Sequence, residues 1–171
     1  LFFQYLCDRH EVVAAVLLEA SPFGNSQSLF QKAKKTFVVF GFQFFIYYSL
    51  KLLRRKLFSR HEMRNLFMSQ NVRVIKLREH INHPKSVSAI NECEPDVLIS
   101  IAGNQIFRRH IIDLAPFGCL NLHTCALPKY RGLMPTFWVL KNGESTTAVS
   151  VFMVDEGIDS GPIVVQEKVE I

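Results

Sequence analysis

Asn121 and His123 lie two positions apart at the end of a short apolar run, a spacing that can support chemistry. Alternate side chains of a β-strand point to the same side, so both polar groups would face one cleft. The Asn121 amide can donate to a developing oxyanion, and the imidazole of His123 can carry a proton near neutral pH. These two residues alone leave one alternative open, which is a hydrogen-bonding pair with a purely structural role.

A second polar segment, Asp155–Pro162, follows another apolar run and contains three carboxylates and two glycines. Glycine lets the backbone turn sharply, so the segment predicts a tight acidic loop. A solvated surface turn is the alternative by composition. The carboxylate spacing does not match a calcium loop, and His80 and His83 are followed by Pro84, which favours a surface loop over a metal site. We therefore expect no metal.

Short apolar runs alternate with helical patterns along the chain, and this alternation predicts the fold class. The predicted strands are Val12–Leu18, Val72–Lys76, Val97–Ala102, Gly118–Leu122, Thr147–Val154 and Ile163–Ile171. The predicted helices are Ser86–Cys93, Ile106–Leu114 and Phe137–Lys141. Strands joined through helices imply an α/β fold, doubly wound, with a mostly parallel sheet and helices on both faces. The strand Val97–Ala102 is apolar throughout, so we expect it to be buried on both faces.

The length of 171 residues and the hydrophobic content of 49% fit one domain, residues 1–171. The chain opens with Leu1 and ends at Ile171 within a predicted strand, so we expect it to be incomplete at both ends. The apolar and aromatic segment at the start of the chain, Leu1–Leu6, is predicted to be the end of a helix. Four cysteines without C-x-x-C spacing and no leader-like start predict a reducing compartment, the cytoplasm.

Residues 31–68 form a long helical pattern around an aromatic apolar run, Thr36–Leu50, with basic clusters on both sides. This run is too short for a membrane span and contains Gln43 and Ser49. Packing on the domain is one interpretation. The other is contact with a membrane surface or a partner through Phe37–Arg55, which would make the protein peripheral to a membrane.

The segment Asn121–Gly132, followed by Asp155–Pro162, resembles the folate-dependent formyltransferase family in both motifs, their order and their separation. This family includes methionyl-tRNA formyltransferase, glycinamide ribonucleotide formyltransferase, sugar-nucleotide N-formyltransferases and formyltetrahydrofolate hydrolases. The resemblance implies a Rossmann-like formyltransferase domain whose catalytic triad is Asn121, His123 and Asp159. In the family a strand starts the sheet, so the resemblance also implies that Leu1–Cys7 is the end of the first helix and that the first strand is missing from this sequence. Cys125 stands where the family commonly has Ser, and we interpret it as a near-isosteric replacement rather than a nucleophile.

The resemblance also implies the substrates. The formyl donor would be 10-formyltetrahydrofolate, used without a metal, and the acceptor an amine on a nucleotide sugar or on methionyl-tRNA. The implied pterin pocket consists of Gln105, Ile106, Phe107, Leu127, Pro128, Val154, Asp155, Glu156, Gly157 and Ile158. Two alternatives stay open: a hydrolase that passes the formyl group to water with the same triad, and a binding module without activity.

Overall fold

The computed structural model describes residues 2–18, 29–58, 66–103 and 105–171. The helices are α1 (Phe2–Cys7), α2 (Leu29–Phe58), α3 (Pro84–Asn91), α4 (Arg109–Ile112) and α5 (Pro135–Lys141). The strands are β1 (Ala14–Leu18), β2 (Arg73–Leu77), β3 (Leu98–Ile101), β4 (Cys119–His123), β5 (Thr146–Met153) and β6 (Ile163–Glu170). Each of these elements falls within or close to its predicted range.

The chain divides into two compact units. The first comprises Leu1–Leu17 and Ser21–Ile75, and the second comprises Leu18–Ala20 and Lys76–Ile171. Strands β1 and β2 form a two-stranded sheet, and the remaining four strands form another. The organisation of residues 1–171 as one domain stays a prediction.

The predicted helical segment 31–68 corresponds to α2 and to a helical stretch at residues 66–69, while positions 59–65 lie outside the described residues. Helix α2 is interrupted at Gly41, whose φ of 78° and ψ of 175° are not helical. A positive φ is readily adopted only by glycine, so the aromatic run is split at the one residue that tolerates the break. Within the described ranges, no helix combines the length and the apolar character needed to cross a bilayer.

The larger sheet has the strand order β3-β4-β5-β6 and carries the polar motifs. Strands β3 and β4 pair in parallel, with Ser100 opposite Asn121. Strands β5 and β6 extend the sheet antiparallel, with His123 opposite Ser150 across the β4–β5 pair. The connection between β3 and β4 contains α4 and allows a crossover, whereas the short acidic loop turns β5 directly back into β6. The predicted α/β class with parallel pairing is confirmed.

The core beside the polar motifs comes from the alternation of side chains along β5, where Ala148, Ser150 and Phe152 are buried. Phe152 packs in a buried cluster with the three residues Cys125, Leu127 and Val139. The prediction that β3 is buried on both faces was wrong, because Ile99 and Ile101 are 45% and 51% exposed. A continuous apolar run indicates a strand but does not determine which of its faces is covered.

Candidate active site

Strand β4 places Asn121 and His123 on the same face of the sheet, as their alternation predicts. The His123 ring is buried with 6% exposure, and Asn121 is half-buried. Among the described residues, no hydrogen bond occupies the side-chain amide of Asn121. Its two N–H donors are therefore available to a ligand beside the histidine.

The chain leaves β4 through a loop that is anchored to β5 and β6. The Ser150 hydroxyl donates to the Cys125 carbonyl at 2.6 Å and accepts from the Leu127 amide at 3.3 Å. The Gln166 side-chain amide donates to the Leu127 carbonyl at 3.1 Å and to the Ser150 hydroxyl at 2.8 Å. Leu127 precedes Pro128 through a cis peptide bond. Two strands thus hold the first part of the loop.

The acidic loop is built to place Asp159. One Asp155 carboxylate oxygen accepts from the Gly157 amide at 3.0 Å and from the Ser160 hydroxyl at 2.7 Å, which closes the turn. A Cβ at Gly161 would lie 1.8 Å from the Met153 carbonyl oxygen, so this close backbone approach requires glycine. Asp159 itself has a φ of 47° and a side chain that is 17% exposed.

Asp159 joins the two loops at the histidine. Its Oδ2 lies 3.5 Å from the His123 Nδ1 and accepts a hydrogen bond from the Gly132 amide at 2.7 Å. The other ring nitrogen of His123, Nε2, lies 3.0 Å from the Tyr130 carbonyl oxygen. A neutral imidazole can donate to one of these acceptors, while a ring protonated on both nitrogens donates to both. The surroundings of His123 thus offer an acceptor to each N–H group of an imidazolium.

Cys125 is not placed as a nucleophile. Its side chain is fully buried, and the thiol donates to the Lys129 carbonyl at 3.1 Å and to the Tyr130 carbonyl at 3.4 Å. Burial, with a smaller contribution from the negative charge of Asp159, raises the pKa of the Cys125 thiol from 9.0 to about 11. A protonated, inaccessible thiol is a poor nucleophile, which agrees with its interpretation as a serine replacement.

The predicted pterin residues fall into three segments. Leu127 is buried in the core and Pro128 is exposed, while Ile158 in the acidic loop is 58% exposed. The loop after β3 is fixed at two points: Gln105 accepts from the Ile81 amide at 2.7 Å, and the Ile106 carbonyl accepts from the Asn82 side chain at 2.8 Å. No hydrogen bond joins this loop to the acidic loop in the described part of the chain. A shared pterin pocket therefore stays a prediction, as do the contacts of Phe107, Val154, Asp155, Glu156 and Gly157 with a ligand.

The sequence did not reveal the residues that brace the site. Three of them bond distant backbone groups, and these are Ser150, Gln166 and Asn82. Tyr130 acts instead through its carbonyl, which faces His123, and through a hydroxyl that bonds the side chains of Asn142 and Glu144. No local pattern encodes these contacts. Ser150 carried a signal, since it is a lone polar residue on the inward face of an apolar strand. The two histidines of the His80–His83 segment accept hydrogen bonds from nearby backbone amides at 3.2 Å, which is a turn and capping role.

Comparison with known proteins identifies the family. The sequence model described as Formyl transferase matches residues 54–171. Methionyl-tRNA formyltransferase from Kosmotoga olearia is 42% identical over 91 residues, which are 53% of this chain and 29% of that protein. Matches to two further methionyl-tRNA formyltransferases cover 33% and 35% of their length, so the matched segment is about a third of each relative.

Two solved structures share the fold. The formyltetrahydrofolate deformylase from Pseudomonas syringae pv. tomato superposes with a TM-score of 0.56 and 17% identity, over 66% of this chain and 39% of that one. The formyltransferase PseJ from Anoxybacillus kamchatkensis, solved with UDP-4,6-dideoxy-4-formamido-L-AltNAc and tetrahydrofolate, gives a TM-score of 0.50 and 27% identity. That match covers 66% of this chain and 57% of PseJ. Because the family match includes β4, its loop and the acidic loop, this chain belongs to the formyl transferase family.

Proposed function

We propose that the protein transfers a formyl group from 10-formyltetrahydrofolate to an amine, with Asn121, His123 and Asp159 as its catalytic residues. The observation that carries this proposal is the pairing of the His123 Nδ1 with the Asp159 Oδ2 at 3.5 Å, on the strand face that also holds Asn121. The end of β4 and the acidic loop, which are far apart in the sequence, converge to make this pair. A solvated acidic turn would not need to direct a carboxylate into a buried histidine.

The residues suit an attack by a neutral amine on the formyl carbon. This attack produces a tetrahedral oxyanion, and the uncommitted Asn121 amide supplies an N–H donor for it; such a donor is typically worth ~10²- to 10³-fold in rate. A protonated His123 adds a positive charge beside the oxyanion. Because both of its N–H groups face protein acceptors, the departing folate nitrogen takes its proton from Asp159 or from a water, once that group has accepted the proton of the amine. Asp159 stabilises that imidazolium and can accept the proton of the amine directly or through a water.

The folate donor fits the chemistry of the acidic loop. Glu156, Gly157 and Ile158 are exposed, and the Gly157 amide already donates to Asp155. The N–H groups of Glu156 and Ile158 and the C=O groups of all three residues can therefore pair with the alternating donors and acceptors of a pterin edge. We propose that this loop, together with Gln105–Phe107, binds the pterin. The Asp159 carboxylate pairs with His123, and the Asp155 carboxylate closes the turn. Among the described residues, no group of His, Cys, Asp and Glu side chains is placed to hold a metal ion.

For the acceptor we propose an amine on an anionic carrier, either a nucleotide sugar or methionyl-tRNA. The relative from Kosmotoga olearia is named for methionyl-tRNA, and PseJ was solved with a UDP-linked formamido sugar. Both carriers are polyanions, which suits a chain with a formal net charge of +5. A formylation assay with each carrier distinguishes the two acceptors.

The test is release of tetrahydrofolate from 10-formyltetrahydrofolate by the protein, measured with and without each acceptor. Release that requires one acceptor, together with a formylated product, supports the transferase and names its substrate. Release without any acceptor supports the hydrolase alternative and contradicts transfer. Folate binding without release under any of these conditions would contradict both and support the binding module.

We also propose that Phe37–Arg55 contacts an anionic membrane surface, with the protein at the cytoplasmic face. Positions 20–61 contain eight Lys and Arg residues and no Asp or Glu. Twelve Lys and Arg and fifteen Asp and Glu remain elsewhere, a balance of −3, so the positive charge of the chain is concentrated here. Phe42 and Tyr47 within this segment are 64% and 60% exposed. Basic residues beside exposed aromatics are typical of interfacial membrane binding.

Sedimentation with lipid vesicles tests this contact. We expect binding to phosphatidylglycerol vesicles, weak binding to phosphatidylcholine vesicles, and loss of binding in the Lys51→Glu/Arg54→Glu variant. The Lys85→Glu variant is a matched control, because it changes the charge of an exposed lysine outside the segment. Equal binding of wild type and the double variant, or no sedimentation with anionic vesicles, would contradict the proposal.

A further inference from the structure

The Tyr130 carbonyl oxygen is the only backbone group that the described structure places against the His123 ring nitrogens. It lies 3.0 Å from Nε2 and also accepts from the Cys125 thiol at 3.4 Å. Asp159 faces the opposite nitrogen, so the ring is held between a side chain and a main-chain carbonyl. The orientation of His123 therefore depends on the backbone conformation of Tyr130.

That conformation is an unfavourable one for a residue with a side chain. Tyr130 has a φ of 55°, in the left-handed region that few residues other than glycine adopt without support. Such geometry persists when surrounding contacts fix it, and it is concentrated at functional sites. The loop also contains Gly132, at a φ of 90°, which places its own amide against Asp159. The left-handed conformation of Tyr130 thus needs a separate source of support.

The support comes from the side chain of Tyr130 itself. Its hydroxyl donates to Glu144 Oε1 at 2.6 Å and accepts from the Asn142 side-chain amide at 3.1 Å. The aromatic ring packs against the buried cluster that includes Cys125 and Val139. The hydrogen bond to Glu144 raises the pKa of the Tyr130 hydroxyl, so the hydroxyl keeps the proton that it donates.

The two partners of the Tyr130 hydroxyl, Asn142 and Glu144, lie at the C-terminal end of α5. Asn142 caps α5 through its backbone N–H, which bonds to the Trp138 and Leu140 carbonyls. The Glu144 amide bonds back to the Val139 carbonyl at 3.3 Å, and Val139 is 2% exposed. The backbone of both partners is therefore held by the end of α5.

We propose that Tyr130, Asn142 and Glu144 are positioning residues for His123: they hold the Tyr130 backbone so that its carbonyl orients the imidazole and accepts from Nε2. The role of this group in catalysis rests on the proposed formyl transfer. The loss of the hydroxyl contacts frees the Tyr130 peptide to rotate, and the ring then loses its second acceptor. Misplacement of a catalytic group by about 1 Å can cost on the order of 10²-fold in rate.

The test compares Tyr130→Phe, which keeps the packed ring, with Glu144→Leu and Glu144→Gln. For Tyr130→Phe and Glu144→Leu we expect kcat to fall by about 10- to 100-fold with the KM for the folate unchanged. We also expect displaced ¹⁵N signals of the His123 ring, assigned by comparison with His123→Gln. Glu144→Gln keeps an oxygen acceptor and should recover part of the loss. Tyr5→Phe, which removes an exposed hydroxyl elsewhere, is the matched control.

The ¹⁵N signals of the His123 ring can be measured without turnover. They therefore test the orientation of the ring separately from the proposed formyl transfer. Wild-type ring signals and wild-type kcat in folded Tyr130→Phe and Glu144→Leu proteins would overturn the positioning role. A wild-type protein that transfers no formyl group, but whose His123 signals move in both variants, would overturn the proposed function while upholding the control of ring orientation. If Tyr130→Phe fails to fold, Asn142→Ala, which removes the weaker hydroxyl contact, provides the same two measurements.

Discussion

Asn121 differs from the other two proposed catalytic residues, His123 and Asp159, in that its side chain has no hydrogen-bond partner in the described structure. His123 and Asp159 are held by each other and by the loops, whereas the Asn121 amide is set only by its place on β4. A free donor beside a buried histidine is what an oxyanion site needs before the substrate arrives. In the proposed mechanism, His123 paired with Asp159 provides a positive charge, and the side-chain amide of Asn121 provides an N–H group for the oxyanion.

Replacement of Asn121 by Ala should therefore lower kcat by ~10²- to 10³-fold, since one oxyanion donor is lost. The dissociation constant of tetrahydrofolate should change little, because the reaction product has no oxyanion. Steady-state kinetics and calorimetric titration of tetrahydrofolate measure the two quantities. A variant that folds and turns over at the wild-type rate would remove Asn121 from the mechanism.

The two buried thiols give a pH-dependent prediction. Burial raises the pKa of Cys119 to about 12, and burial with the Asp159 charge raises that of Cys125 to about 11, both from 9.0. Above pH 9 the unfolded chain releases these protons while the folded chain keeps them. The free energy of unfolding should thus fall as the pH rises from 9 towards 11.

Urea denaturation at pH 8, 9.5 and 10.5 measures this decline. The Cys125→Ser variant should show a smaller decline and only a mild loss of activity, because a hydroxyl can donate to the same carbonyls and does not ionise in this range. An identical decline in wild type and variant would contradict the shifted pKa of Cys125. A large loss of activity in the folded variant would restore the nucleophile interpretation.

Helix α3 and the loop before it fix the segment in which Gln105–Phe107 lies. Asn82 reaches that segment with both ends of its amide: Nδ2 donates to the Ile106 carbonyl at 2.8 Å, and Oδ1 accepts from the Arg108 amide at 2.9 Å. The His110 ring also lies 3.1 Å from the Asn82 carbonyl oxygen. The Asn82 side chain thus holds this irregular loop through two hydrogen bonds to its backbone, as pairing with a short strand would.

The Asn82→Ala variant should therefore bind the folate more weakly without losing chemistry. Two hydrogen bonds at about 1 kcal/mol each predict a KM for the folate that rises by roughly 5- to 30-fold, with kcat changed much less. Asn91→Ala, near the end of α3, is the matched control. A fall in kcat at unchanged KM would contradict the assignment of this loop to the pterin pocket.

The strands and helices of the second unit were predictable because their periodicity is local. The inward alternation of Ala148, Ser150 and Phe152 is visible in the sequence, and so are the paired polar positions at the end of β4. The antiparallel pairing of β5 with both β4 and β6 was not predicted, since strand direction depends on a connection rather than on a pattern. The break of α2 at Gly41 was also missed, because glycine within a helical pattern is often tolerated.

The candidate site was predictable in part. The motifs supplied the three proposed catalytic residues, and the structure brings two of them, His123 and Asp159, together. The left-handed Tyr130 and the bonds of Gln166 across 39 positions were not predictable, because both depend on tertiary contacts. Sequence patterns therefore indicated which groups are candidates for the chemistry, whereas the contacts that hold those groups emerged only from the fold.

The chain contains a basic segment, positions 20–61, whereas the rest of the chain has more acidic than basic residues. The family match covers residues 54–171, so most of α2 lies before it. The positive charge of positions 20–61 favours anionic carriers and anionic surfaces over neutral ones, and salt should weaken either interaction. The proposed catalytic residues and the proposed membrane contact thus lie in different parts of the sequence.

The proposed formyl transfer depends most directly on the pair His123 and Asp159, and one assay tests the role of this pair. Tetrahydrofolate release is measured for the wild type, His123→Ala and Asp159→Asn, with the acceptor that gives turnover and with folding and folate binding verified. We predict that each substitution lowers kcat by ~10²- to 10⁴-fold and leaves folate affinity nearly unchanged. Near-wild-type release by either folded, folate-binding variant would contradict the central claim.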